Sequence, residues 1–193
     1  MSQDPNTYDA IYKTGGAGKE YFKPYYESLY YPMWVAARNL VMQVPGVFSV
    51  LDVGCGVGQF AELILRTCPG IHYQGLDFSP EAIKQARERV GNVVECGDAF
   101  TSNLVLSDYN AFLFLEVLEH IPDDIKLLQR LKTGSMVVLS VPNYPASTHV
   151  RYFPTLDDVL ARYSQVLSID KSYVIPQASV RKQVIYLLRG RRL

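Results

Sequence analysis

The stretch LDVGCGVGQF, residues 51–60, sets three glycines into five positions behind an aspartate. In front of it, SVLDVG (49–54) is apolar and β-branched, the composition of a strand buried on both faces. Behind it, GQFAELILRTC (58–68) places Phe60, Leu63, Ile64 and Thr67 at helical spacing, and Pro69-Gly70 stops the run. A strand that hands over to a helix through glycines leaves its backbone bare, as close approach by a ligand requires. The same alternation runs on. IHYQGLD (71–77), NVVEC (92–96), NAFLFLE (110–116) and GSMVVLSVP (134–142) read as four further strands. SPEAIKQARERV (79–90) reads as a helix with Ser79 as N-cap, Pro80 at the first helical position, Glu81 in the first turn and Ile83, Ala86 and Val90 as apolar stripe. PDDIKLLQRLK (122–132) and TLDDVLARYS (155–164) predict two more helices. VLSIDKSYV (166–174) and SVRKQVIYLLRG (179–190) predict a closing antiparallel pair.

Strands alternating with helices imply an α/β fold, a doubly wound, mostly parallel seven-stranded sheet of Rossmann-like type with an antiparallel C-terminal strand pair. Ligands of such sheets bind beyond the carboxyl ends of the strands, beside the switch point. The expected organisation is one domain over 1–193, with the core over 46–193. Residues 1–45 do not fit the alternation and are expected to form an aromatic-rich helical lid. Within them YFKPYYESLYYPMWVAARNLV (21–41) predicts one or two helical turns broken around Pro24 and Pro32, then a helix.

Composition bounds the function. The chain has 193 residues, 48% hydrophobic and 20% charged, as expected of one folded globular domain. No apolar run approaches the ~20 residues of a membrane helix, and the N-terminus lacks the pattern of a secretion signal, so a cytoplasmic location is expected. Cys55, Cys68 and Cys96 are odd in number and lack CxxC spacing, which argues against a disulfide framework or a zinc site. Net charge is zero, yet residues 50–140 hold 12 acidic and 7 basic side chains and residues 141–193 hold 3 and 8. Part of the basic excess is the tail LLRGRRL, which reads as a solvated end rather than a nucleic-acid patch.

The glycines read G-x-G-x-G, not the G-x-G-x-x-G of a dinucleotide site. Asp77 ends the second strand, where a carboxylate can accept both ribose hydroxyls of a nucleoside. Gly97-Asp98-Ala99 follows the third strand and Glu116-Val117-Leu118-Glu119-His120 the fourth. On VLDVGCGVGQF, GLDFSPEAIKQA, ECGDAF and LFLEVLEHIPD, the chain resembles the class I S-adenosylmethionine-dependent methyltransferases over roughly residues 45–145. The resemblance implies that the backbone of Gly54, Cys55 and Gly56 lies against the methionyl part of the cofactor. Asp52 would hold the turn or the cofactor's amino group, and Asp77 the ribose. Phe78 would pack on the adenine, Asp98 with Ala99 would address its edge, and Glu116 would border the cofactor.

Methyl transfer needs an aligned acceptor and, for O–H or N–H acceptors, a base. His120 is the expected base, with Glu119 beside it; an alternative is a histidine that only caps or braces the loop. His149, in the loop after the fifth strand, is a weaker base candidate, and Arg151 there is a candidate for recognising an acidic acceptor. LEVLEHI also resembles the Glu-x-x-Glu-His stretch of ubiquinone-pathway O-methyltransferases, which implies Glu116, Glu119 and His120 as candidate Mg²⁺ ligands; no metal is the main expectation. The expected activity is methylation of oxygen or nitrogen on a small molecule, giving S-adenosylhomocysteine. The alternatives are a methyltransferase for protein or nucleic acid and a non-catalytic cofactor-binding partner protein. Neutral net charge and the absence of an Asn-Pro-Pro-Tyr-type string after the fourth strand argue against nucleic acid.

Overall fold

The computed structural model describes residues 5–177 and 182–193. Seven strands, β1 (Ser49–Val53), β2 (His72–Asp77), β3 (Val94–Cys96), β4 (Ala111–Leu115), β5 (Met136–Pro142), β6 (Leu167–Pro176) and β7 (Val184–Arg192), form one sheet in the order β3-β2-β1-β4-β5-β7-β6. β1 to β5 pair in parallel, and β7 runs antiparallel to both β5 and β6. The chain starts at β1 in the middle and winds first toward β3, then returns to β4. The switch point therefore lies between β1 and β4, at the carboxyl end where the glycine turn leaves β1.

Alternate residues of the central strands face two separate apolar layers, as the two-residue period of a strand dictates. Ala111, Leu113 and Leu115 of β4 pack with Met33 and Trp34 of α2 (Tyr31–Met42) and Leu63 and Ile64 of α3 (Gln59–Thr67). Ile83 and Ala86 of α4 (Pro80–Val90) join the same layer. Phe112 and Phe114 face Leu127 and Leu128 of α5 (Asp124–Gln129) and Val159 and Tyr163 of α6 (Leu156–Tyr163). No helix among the described residues is long and apolar enough to cross a membrane.

Several local expectations change. α5 is confined to Asp124–Gln129, so Pro122 and Asp123 belong to the loop before it and line the cleft described below. Pro32 breaks nothing: it sits in the first turn of α2, where its missing N–H has no helical partner to lose. The start of the predicted 179–190 strand lies partly at 179–181, outside the described residues, and β7 begins at Val184. The N-terminal segment opens with a helix of its own, α1 (Pro5–Thr14), followed by short 3-10 turns at Ala17–Phe22 and Tyr25–Glu27. α1 docks on α4. Asp9 accepts from the Ser79 hydroxyl and, at 3.2 Å, from the Glu81 N–H, and Gln85 donates to the Tyr12 carbonyl at 3.1 Å.

Candidate active site

The glycine turn is built on β2. The N–H groups of Gly54 and Cys55 both donate to the Leu76 carbonyl, at 2.7 and 3.1 Å. Gly54 has φ +80°, and a Cβ there would stand 2.4 Å from Cγ2 of Val117, so both backbone and space exclude a side chain. Gly56, at φ +53°, lies under Tyr12 of α1, whose hydroxyl is 3.4 Å from where a Cβ would be. The Gly56 N–H donates to Oδ2 of Asp77 at 2.9 Å, and the Ser79 N–H to its Oδ1 at 2.9 Å. A carboxylate has about four acceptor positions, so Asp77 keeps capacity on both oxygens. Burial raises its pKa to about 6, against the pull of those two N–H groups.

A cleft of roughly 750 Å³ opens at this end of the sheet, within the ~300–1,000 Å³ range of small-molecule sites. Of the residues the sequence points to, Gly54, Asp77, Phe78, Asp98, Ala99, Glu116 and His120 line it. Asp52, Cys55, Gly56 and Glu119 do not; they stand behind it. Asp52 is buried and accepts from the Tyr73 hydroxyl at 2.6 Å, and burial lifts its pKa to about 7. Cys55 is buried against the sheet, its Sγ 2.8 Å from where a Cβ on Gly75 would be. Asp98 accepts from the Phe100 N–H at 2.8 Å, which steadies the turn after β3.

Part of the lining comes from outside the strand-end motifs. Tyr8, Tyr12 and Tyr21 close the cleft from the N-terminal segment, and Phe100 adds a wall after Asp98. Tyr8 meets Phe78 edge-on at 5.2 Å and His120 at 5.8 Å, bridging the two ends of the cleft. In the sequence, Tyr8 and Tyr12 share one helical face of TYDAIYK, and Tyr21 opens the aromatic-rich stretch 21–41.

Glu116 is one of three described non-glycine residues with positive φ, at +57°. Its N–H and Oε1 both bond the Ser140 hydroxyl, at 2.9 and 2.8 Å, which holds the unusual backbone in place. Burial raises its pKa. Glu119 is fully buried, and neither carboxylate oxygen has a hydrogen-bond partner among the described residues. Burial, then the nearby Glu116 carboxylate, pushes its pKa well up. His120 Nδ1 lies 3.0 Å from the Thr148 carbonyl, which can only accept, so the ring donates there. Burial lowers its pKa to about 4, so the ring is neutral near pH 7. Arg151 is not available to an acceptor. It donates to the Leu118, Ile121 and Pro122 carbonyls at 2.6, 2.6 and 2.8 Å and lies 3.2 Å from the buried Asp124.

Residues 51–134 match the family model for a methyltransferase domain. A trans-aconitate 2-methyltransferase of Rhodopseudomonas palustris (strain BisB18) is 31% identical over 123 residues, 59% of this chain and 47% of that protein. A ubiquinone biosynthesis O-methyltransferase of Xanthomonas campestris pv. campestris is 32% identical over 120 residues, 57% of this chain and 48% of that protein. The chain thus spans about half the length of the curated relatives it matches. Among solved structures, the N-methyltransferase NodS from Bradyrhizobium japonicum WM9, in complex with S-adenosylhomocysteine, superposes with a TM-score of 0.65 at 19% identity, covering 85% of this chain and 87% of that one. The magnesium protoporphyrin IX methyltransferase of Synechocystis PCC 6803 with bound S-adenosylmethionine gives 0.70 at 16% identity, covering 100% and 99%. The fold is that of the class I methyltransferases. The stretch that matches the methyltransferase-domain model, 51–134, is the one that supplies the glycine turn and most of the strand ends lining the cleft.

Proposed function

We propose that this chain transfers the methyl group of S-adenosylmethionine to an oxygen or nitrogen of a small-molecule acceptor. The observation that carries the reading is the convergence on one cleft of Gly54, Asp77, Asp98, Glu116 and His120, drawn from the ends of four parallel strands. S-adenosylmethionine, when bound, supplies a methyl group on a sulfonium that is already a good leaving group. The residues here do the binding and the orienting. The bare backbone at Gly54 admits the methionyl part, and the spare acceptor positions of Asp77 take the ribose hydroxyls. Phe78 packs on the adenine, while Asp98 and Ala99 address its edge. Asp52, Cys55 and Gly56 support this surface from behind, Gly56 by fixing the Asp77 carboxylate. Glu116 lends negative charge near the positive end of the cofactor. At the acceptor end Nε2 of His120 takes the acceptor's proton.

The lining also bears on the acceptor. Asp77, Asp98, Glu116 and Asp123 face the cleft, and no lysine or arginine lines it among the described residues. This favours a neutral or basic acceptor over a polyanion such as trans-aconitate, since an unpaired charge is costly to desolvate. It also weighs against the nucleic-acid alternative.

The test is calorimetric titration with S-adenosylmethionine, S-adenosylhomocysteine and NAD⁺, on the wild type and on Asp77→Ala. The expected result is saturable binding of the first two, none of NAD⁺, and a loss of about 1–3 kcal/mol in the variant. Binding of NAD⁺ in their place would overturn the reading. Unchanged affinity in Asp77→Ala would place the ribose elsewhere.

A further inference from the structure

Beside the cleft, two loops meet around a buried carboxyl group whose oxygens have no hydrogen-bond partner among the described residues. The short turn Leu118–His120 carries Glu119 and His120, and the loop between β5 and α6 carries His149. One ligand atom from each of Glu119, His120 and His149 lies within 4.8 Å of the others, and Oε1 of Glu119 is 3.7 Å from Nε2 of His120. The two imidazoles meet edge to face, centroids 4.8 Å apart and planes at 76°, and each turns Nδ1 toward a backbone carbonyl. Nδ1 of His120 is 3.0 Å from the Thr148 carbonyl and Nδ1 of His149 is 3.1 Å from the Tyr144 carbonyl. A carbonyl only accepts, so each neutral ring carries its proton on Nδ1 and its lone pair on Nε2, the arrangement in which histidines bind metals.

The loops are stapled to each other. The Glu119 carbonyl accepts from the N–H groups of Val150 and Arg151, at 2.9 and 3.3 Å, and the Arg151 guanidinium clamps three carbonyls of the 118–122 segment. Such rigidity suits a ligand set. Neither oxygen of this buried group has a hydrogen-bond partner among the described residues, and a bound cation would satisfy the ionised form.

We propose that Glu119, His120 and His149 form a binding site for a divalent transition-metal ion, with further coordination positions toward the cleft that His120 lines. Two imidazoles and one carboxylate suit zinc, cobalt or iron rather than magnesium, which demands an oxygen shell. This is not the set implied by the Glu-x-x-Glu-His resemblance: Glu116 is tied to Ser140, and the third ligand comes from a loop about thirty residues further on. Metal–ligand bonds of about 2.0–2.2 Å put tetrahedral ligand atoms about 3.4 Å apart, so the trio needs only side-chain closure. With an ion bound, His120 is a ligand; the proton-accepting role given above belongs to the ion-free protein. The inference takes from the proposed function only the position of the acceptor end and does not depend on the cofactor.

The test uses the full chain without an affinity tag, stripped with chelator and titrated with Co²⁺ and then Zn²⁺. The chain has 3 histidines, and His72 is outside the trio, so the site is separable by mutation. Expected are one equivalent of Co²⁺ per chain, a visible d–d band displaced by Zn²⁺, and more than about 100-fold weaker binding in His149→Ala, beyond the loss typical of an outer-shell change. Affinity for S-adenosylhomocysteine, measured on the same samples, should stay within threefold and reports on folding. Absence of saturable Co²⁺ and Zn²⁺ binding in the wild type overturns the proposal, whatever the variant does. So does wild-type-like binding in both His149→Ala and Glu119→Gln. Metal binding without S-adenosylhomocysteine binding would instead sink the cofactor reading and leave the metal site standing.

Discussion

Replacing Asp52 by asparagine should make the protein more stable in mild alkali and remove part of its pH dependence. Asp52 is 2% exposed, bonded to the Tyr73 hydroxyl, and its pKa is raised by burial from 3.8 to about 7. The sign follows from proton counting. In the unfolded chain the carboxyl ionises near its ordinary value, while the native one stays protonated, so the unfolded state binds fewer protons between the two. Stability therefore falls as pH rises from about 4 to about 7 and levels off above. The size of the move corresponds to about 4 kcal/mol at pH 8 relative to full protonation. Asparagine keeps an oxygen to accept from Tyr73 and cannot ionise. Asp77 titrates in the same direction, to about 6, in both proteins, and its charge adds a smaller part to the lift on Asp52.

The assay is urea unfolding of wild type and Asp52→Asn at pH 4, 6 and 8. The difference in unfolding free energy should move in favour of the variant by up to about 4 kcal/mol between the ends of the series. A difference that stays constant from pH 4 to pH 8 would refute the reasoning, because a carboxyl that ionises alike in both states cannot be buried and neutral. The same variant tests where Asp52 acts. Standing behind the turn, it should leave S-adenosylhomocysteine affinity nearly unchanged; a tenfold loss would mean that the carboxylate reaches the cofactor's amino group.

Gly54→Ala should destabilise the fold by about 2–4 kcal/mol, from a side chain at positive φ and an overpacked contact with Val117. Adding Val117→Ala should recover the packing part and leave the backbone part, and urea midpoints that show no recovery would deny the contact. Arg151→Met should cost about 2–4 kcal/mol, since three carbonyls lose a charged donor and the buried Asp124 loses one of its two cationic neighbours, keeping Arg162, the Tyr163 hydroxyl and the Ile125 N–H. A loss under about 0.5 kcal/mol would mean that this clamp contributes little.

The order of strands and helices was legible because each element carries its own period and punctuation. Ser79 and Pro80 announced α4, and the apolar run 49–54 announced a strand buried on both sides. The glycine turn, Asp77, Asp98 and Glu116 were legible for a related reason: they sit at strand ends, and the topology of a doubly wound sheet brings those ends to one edge. Which of them face the cleft was not. Asp52 and Cys55 are neighbours of Gly54 in sequence, yet β1 and the turn point their side chains back against Tyr73 and Gly75. Arg151 looked like an anion binder, but its donors are consumed by the carbonyls of the 118–122 segment.

Sequence alone therefore determined the sheet, its winding and the set of motifs at its carboxyl edge, since periodicity, caps and turn residues act over a few positions. Only the tertiary structure decided which N-terminal side chains reach that edge and what stands beside it. α1 reaches the cleft because Asp9 binds the start of α4, about seventy residues away in the chain. His149 joins Glu119 and His120 because backbone hydrogen bonds tie two distant loops together. Contacts of that range depend on the packing of the whole sheet, and no local pattern of residues encodes them.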